Sequence, residues 1–327
     1  VIVFRGRELH SEIKQIATMR TSPLLFATAA FWIPSLLAAD TVAPTSPKRG
    51  LCYVQGEDPA DDRTWDGAES GLTWYYNYQA NPTQGIDDKL QFVPMLWDDK
   101  SAGDSPGSFY NTVKRLVDSG RDIEYVLGFN EPDGCKDGGS CISPETAAEA
   151  WISEMEPLRK DLDIKLGAPA VTGSPRGLQW LQDFYTACDG ACNTDFMPVH
   201  WYGNFEGFAS WIGQVNATYQ NMSMWATEVG FAHQDLNTTQ EFFNQSVSYL
   251  DRLDYVTHYS WFGAFRSDVS NVGANGALLT EDGELTDIGA YYMGGAAAGN
   301  VPSGAAKVAV YAGWSVGLVA SLFWSFA

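Results

Sequence analysis

Eight short apolar or aromatic runs alternate with helix-like stretches between Lys48 and Met293, and this alternation restricts the fold more tightly than any other feature. The runs lie at residues 50–54, 72–76, 91–97, 125–129, 165–168, 196–201, 224–228 and 256–262. Between several of them the apolar spacing changes from that of a strand to that of a helix. Residues 109–119 carry Val113, Leu116 and Val117 and stop at Gly120. Residues 144–162 open with Ser143 as a cap and Pro144 at the first helical position, and 238–253 is a similar stretch. Eight strands alternating with helices over roughly 250 residues is the count of an α/β fold of one kind, the (β/α)8 TIM barrel, here as a single domain. No glycine-rich phosphate loop follows the first run, which argues against a dinucleotide-binding sheet.

The segments outside 48–293 read as addresses rather than fold. Met19-Arg20 precedes an uncharged run from Leu24 to Ala39, the order of a secretory signal over 19–39. Translation is expected to start at Met19, which leaves residues 1–18 as an extension; an uncleaved anchor is the rival reading. Residues 40–47 form a Pro/Ser/Thr linker. Residues 294–327 hold a small-residue stretch, a polar spacer and a terminal apolar tail from Val308, the order of a GPI-anchor signal. A membrane-spanning tail is the alternative. The expected location is the cell surface or wall, with the membrane reached only through the anchor. Sequons at Asn216, Asn221, Asn237 and Asn244 suggest a glycosylated face. Cys135 with Cys141, and Cys188 with Cys192, would close two short loops in an oxidising compartment, leaving Cys52 as a buried thiol. The cysteine spacing and four scattered His give no zinc pattern, and no metal or cofactor is expected. The formal charge of −20 would repel phosphate backbones, so nucleic acid is not an expected partner.

Function in such a barrel sits at the carboxyl ends of the strands. The fourth run ends in Asn130-Glu131-Pro132, and the seventh ends in Thr227-Glu228. A carboxylate leaving a buried strand is costly unless paired or used. One such Glu reads equally as a structural ion pair; two, at strands four and seven, read as a catalytic pair. Twelve Trp, with many Tyr and Phe, suggest aromatic platforms for a flat, uncharged ligand, although most such rings fill cores. Trp97, His200, Tyr202, Trp261, Tyr75 and Tyr53 stand at or near strand ends and are the candidate substrate-binding residues, with Trp261 and Trp97 as platforms. His233 and His258 read as structural. Gly313-Trp-Ser315-Val-Gly317 matches a nucleophile elbow, but it lies in the terminal tail without a partner His. Paired Asp residues lack calcium-loop spacing.

The text around these residues is more specific. Lys48-Arg-Gly-Leu, Pro94-Met-Leu-Trp97, Gly128-Phe-Asn-Glu-Pro-Asp133, His200-Trp-Tyr202 and Trp225-Ala-Thr-Glu-Val-Gly-Phe231, in this order, resemble the fungal alkali-sensitive-linkage-type hydrolases of glycoside hydrolase family 128. The resemblance covers about 48–293. It implies a retaining (β/α)8 hydrolase of the two-Glu clan that cleaves β-1,3-glucan in the endo mode, without a cofactor and as a monomer. Carried over, Glu131 is the acid/base, Glu228 the nucleophile and Asn130 the partner of the sugar 2-hydroxyl. Two carboxyls roughly 5–5.5 Å apart suit that chemistry, with Glu131 protonated and Glu228 ionised among polar donors. The alternatives are a catalytically weak glucan-binding wall protein and a hydrolase of the same clan acting on another polysaccharide.

Overall fold

The computed structural model describes residues 45–302, apart from 57, 66–69, 87–89, 101–107 and 137. The expected extension, signal and hydrophobic tail lie outside the described residues. Among the described residues there are eight parallel strands: β1 (Arg49–Tyr53), β2 (Trp74–Tyr76), β3 (Gln91–Phe92), β4 (Tyr125–Val126), β5 (Lys165–Leu166), β6 (Phe196–Tyr202), β7 (Ser223–Gly230) and β8 (Val256–Ala264). Helices α1 (Ser108–Asp118), α2 (Pro144–Glu154), α3 (Glu156–Leu162), α4 (Pro175–Cys188), α5 (Phe205–Thr218), α6 (Leu236–Arg252) and α7 (Asp287–Tyr292) alternate with them. Regular pairing runs β3-β2-β1-β8-β7-β6, with β4-β5 as a separate pair. Single bridges span the two seams, Met95 to Leu127 and Gly167 to Phe196. Leu127 N–H donates to Pro94 O at 2.9 Å, and Ala168 N–H to Phe196 O at 3.0 Å. The fold is a (β/α)8 barrel. Among the described residues, no helix is long and apolar enough to cross a membrane.

Local chemistry explains the element ends. Ser143, Ser174, Asn204, Asp235 and Thr286 cap α2, α4, α5, α6 and α7 by accepting a backbone N–H. The stretch 144–162 is two helices rather than the one its pattern predicts. The break falls at Met155, because Pro157 has no N–H to continue the ladder and its ring crowds the preceding turn. Buried Glu154 of α2 accepts Phe109 and Tyr110 N–H, at 2.9 and 3.1 Å, and so satisfies the start of α1. Disulfides join Cys135 to Cys141 and Cys188 to Cys192. Cys52 is free and buried, its thiol donating to Trp261 O at 3.1 Å.

Two apolar layers result. The larger lies between strands and helices and includes Leu51, Tyr75, Trp151, Phe184 and Trp261. The smaller fills the barrel and includes Cys52, Trp74, Tyr76, Phe196, Trp225 and Phe262. Within it, His258 stacks on Trp225 at 3.6 Å, and burial pushes the imidazole down to about 4, so it is neutral filling. Glycine makes room for these rings. A Cβ on Gly50 would stand 2.1 Å from the Trp74 ring. Gly50→Ala is therefore expected to cost about 1–3 kcal/mol through overpacking. For a domain of this size that lowers Tm by roughly 2–4 °C per kcal/mol, read in a thermal melt.

Candidate active site

A one-residue irregularity turns Glu228 inward. On β7, Trp225 faces the barrel interior, while Met224, Ala226 and Val229 face the helices. Strict alternation would send Glu228 outward with Met224 and Ala226. The register shows why it does not. Val199 pairs with Ala226 and the next residue, His200, with Glu228; on the other side, Ala226 pairs with Tyr259 and Val229 with Trp261. Thr227 is the extra residue of a β-bulge, a device that re-aims side chains beside active sites. Its carbonyl is held by two hydroxyls, Tyr76 Oη at 3.1 Å and Ser260 Oγ.

Glu131 arrives from the end of strand four in a strained backbone, with φ +40°. Its N–H donates to Ala170 O at 2.7 Å, and Gly134 N–H donates to its carbonyl at 2.8 Å. The loop that follows is closed by the Cys135–Cys141 bridge and folds back over Asn130, whose Nδ2 donates to Gly138 O at 3.1 Å. Asn130 Oδ1 is buried with no partner among the described residues.

The two carboxylates meet at His200. Its Nδ1 lies 3.0 Å from Glu131 Oε1 and 3.4 Å from Glu228 Oε2. One ligand-type atom of each of the three side chains falls within 4.8 Å of the others. Such a spacing could also hold a cation. The donor set points elsewhere: Tyr78 Oη donates to Glu228 Oε1 at 2.8 Å and Tyr202 Oη to Oε2 at 2.6 Å, so both oxygens already receive protons. Burial, and then the Glu228 charge, hold both phenols well above their ordinary value, so they remain donors.

Burial raises the Glu228 carboxyl above its ordinary value. His200 opposes this, Glu131 adds to it, and the two phenols pull it back. Burial alone would depress the His200 imidazole, but Glu228 and Glu131 outweigh it and hold it above its ordinary value. Burial leads for Glu228 because its side chain is only 6% exposed. Removing a donor that lowers the Glu228 pKa must raise it further. Tyr202→Phe is therefore expected to move the acid limb of kcat/KM to higher pH. It should also lower kcat about 10–100-fold, the worth of a hydrogen bond to a charged group. A pH–rate profile checks both.

A barrel with two carboxylates at strands four and seven invites comparison with known proteins. A profile of the glycosyl hydrolase catalytic core matches residues 50–292. The chain belongs to the glycosyl hydrolase catalytic core family. Alkali-sensitive linkage protein 1 of Schizosaccharomyces pombe is 29% identical over 256 residues, covering 76% of this chain and 44% of that protein. The chain thus spans under half the length of this curated relative. A curdlan-specific exo-β-1,3-glucanase of GH128 subgroup III from Blastomyces gilchristii is 28% identical, with TM-score 0.60, covering 75% of this chain and 97% of its own. A GH128 subgroup IV endo-β-1,3-glucanase from Lentinula edodes is 27% identical, with TM-score 0.61, covering 75% and 98%.

Of the residues expected at the mouth of this barrel, Glu131, Glu228, His200, Tyr202 and Asn130 come together, and half-buried Trp97 packs against the interior cluster near them. His200 and Tyr202 contact the carboxylates themselves, where the sequence suggested contact with sugar. Three rings do not face the site. Trp261 packs on Phe242 and Phe243 of α6, and its indole N–H donates to Gly276 O at 2.8 Å. Tyr75 packs on Phe92 in the outer layer. Tyr53 is buried there too and donates to Asp62. Their neighbours Cys52, Trp74, Tyr76 and Phe262 have the inward parity. Tyr78 was missed. Its signal was the two-residue spacing from Trp74 and Tyr76, although Tyr78 itself lies past the end of β2 with φ +61°.

Proposed function

We propose that this glycosyl hydrolase is a secreted, retaining endo-β-1,3-glucanase acting on cell-wall glucan. The observation that carries the reading is the Glu131–Glu228 pair, with oxygens within 4.8 Å across the barrel mouth. That separation suits a carboxylate attacking the sugar directly; the inverting arrangement needs roughly 6.5–9.5 Å to admit a water. In this reading Glu131 protonates the leaving oxygen while Glu228 attacks the anomeric carbon. Glu131 then takes a proton from the water that releases the sugar. Tyr78, Tyr202 and His200 orient Glu228 and spread its charge. Asn130 Oδ1, an acceptor without a partner, receives the 2-hydroxyl, and Trp97 supplies an apolar face.

The β-1,3 linkage is supported by the Blastomyces and Lentinula relatives, both β-1,3-glucanases. These differ in mode, and the endo assignment follows the Lentinula protein. The sequence supports secretion, with a signal at 19–39, a GPI signal within 294–327 and glycans at Asn216, Asn221, Asn237 and Asn244. The four Asn lie on α5, on α6 or in the segment between α5 and β7. The test is incubation of the chain with β-1,3-, β-1,4- and mixed-linkage glucans, following products by size and by NMR of the first anomer. Oligosaccharides of β configuration from β-1,3-glucan support the reading. Glucose as the first product overturns the endo mode, an inverted anomer overturns the double displacement, and release only from β-1,4-glucan overturns the substrate.

A further inference from the structure

A second feature of the barrel mouth is not used by the carboxylate pair. A cavity of about 140 Å³ opens between the ends of β1 and β8. Cavities of about 150 Å³ accommodate a single six-membered ring. Its apolar wall includes Trp65 and Phe265, and its rim includes Val54 and Val269. These two valines are 39% and 64% exposed, and among the described residues only one other large apolar side chain, Ile152, is exposed. Single exposed apolar residues need no explanation; these two stand together on one cavity and give it an apolar edge.

The polar side of the cavity is fixed and carries net negative charge. Arg266 donates to both oxygens of Asp61, at 2.7 and 2.8 Å, and to Asp58 at 2.7 Å. The guanidinium fork holds these carboxylates still while leaving lone pairs to accept hydroxyl protons. Asp268 adds a third carboxylate to the lining. Three acids against one Arg disfavour an anion and suit a neutral polyol with one apolar face. A row of packed rings runs from the cavity wall to the carboxylate site. Phe265 meets Phe262 edge-on at 5.3 Å, Phe262 meets Tyr202 at 5.4 Å, and Tyr202 holds Glu228.

We propose that this cavity is a subsite for one glucosyl residue of the bound chain, remote from the scissile bond, with Val54 and Val269 against the sugar face and Asp58 and Asp61 accepting its hydroxyls. The inference rests on the glucanase reading. It makes chain length, beyond the units at the carboxylates, a determinant of affinity. Binding energy from a distant sugar raises kcat/KM for long substrates only.

The experiment uses the full chain in two backgrounds. In the active protein, Val269→Asp is expected to lower kcat/KM on laminarihexaose about tenfold or more. Laminaritriose turnover should stay unchanged, and Val269→Ile should behave like the parent. Ile152→Asp, on the outside of α2, should affect neither sugar. In the Glu228→Gln background, Val269→Asp should weaken laminarihexaose binding by the same factor in a calorimetric titration. Equal losses on both sugars, or unchanged hexaose binding, would overturn the subsite. A parent that neither hydrolyses nor binds laminarihexaose would instead overturn the glucanase reading, and the subsite with it.

Discussion

Replacing Glu228 by Gln is expected to lower kcat on β-1,3-glucan by at least about 10⁴-fold while leaving oligosaccharide binding intact. A covalent route has no substitute for its nucleophile, and losses of this size are what nucleophile removal produces elsewhere. Gln keeps the shape and can still accept from Tyr202 at the position where Oε2 now lies 2.6 Å away. The same variant should be more stable than the parent near neutral pH. Because the folded pKa of Glu228 is raised, its favourable contribution is present below the ordinary carboxylate value and is lost as pH rises through the folded value. Gln has no charge to bury, so Tm should exceed the parent's by a few degrees at neutral pH, with the gap closing toward acid. A hydrolysis assay beside melts across the acid-to-neutral range reads both effects. Substantial turnover by the Gln variant would remove Glu228 from the nucleophile role. A stability gap that widens toward acid would contradict the burial argument.

Glu131→Gln should be the second largest loss, about 10²–10⁴-fold in kcat on unactivated glucan, the usual worth of a positioned acid/base. Its signature is the dependence on leaving group. An aryl laminarioside whose phenolate departs without a proton does not need the acid in the first step. It should form the glycosyl-enzyme at close to the parent rate and then stall, since the same residue must activate water in the second step. Stopped-flow measurement should show a burst of phenolate followed by slow turnover, with a lowered KM. The strained φ of Glu131 makes the geometry of this side chain a property of its loop. Equal loss on aryl and natural substrates, without a burst, would show that Glu131 acts otherwise than as the acid.

Much of this was legible along the chain because it depends on local periodicity. The eight runs show themselves as strands through their apolar content, and each appears in the barrel. Glu131 and Glu228 were legible because a carboxylate beside a buried strand is expensive and so draws attention. The tryptophans were less informative. Trp261 and Trp97 look alike in sequence, yet Trp261 belongs to the layer under α6 and Trp97 to the interior side. Parity within β2 could have separated Tyr76 from Tyr75, but it needs one anchor residue of known direction.

Taken alone, the sequence determined the alternating architecture and singled out the two carboxylates. It did so because strand periodicity and the cost of a lone buried charge are properties of short segments. Only the tertiary structure decided that Glu228 faces inward at all. That outcome rests on one extra residue, Thr227, whose carbonyl is clamped by Tyr76 from β2 and Ser260 from β8. It also decided that His200 bridges the two carboxylates, and that Tyr53, Tyr75 and Trp261 face away from them. Such outcomes depend on register between strands far apart in the chain. No local pattern encodes that register, because it is set by how the neighbouring strands share hydrogen bonds once the ring is closed.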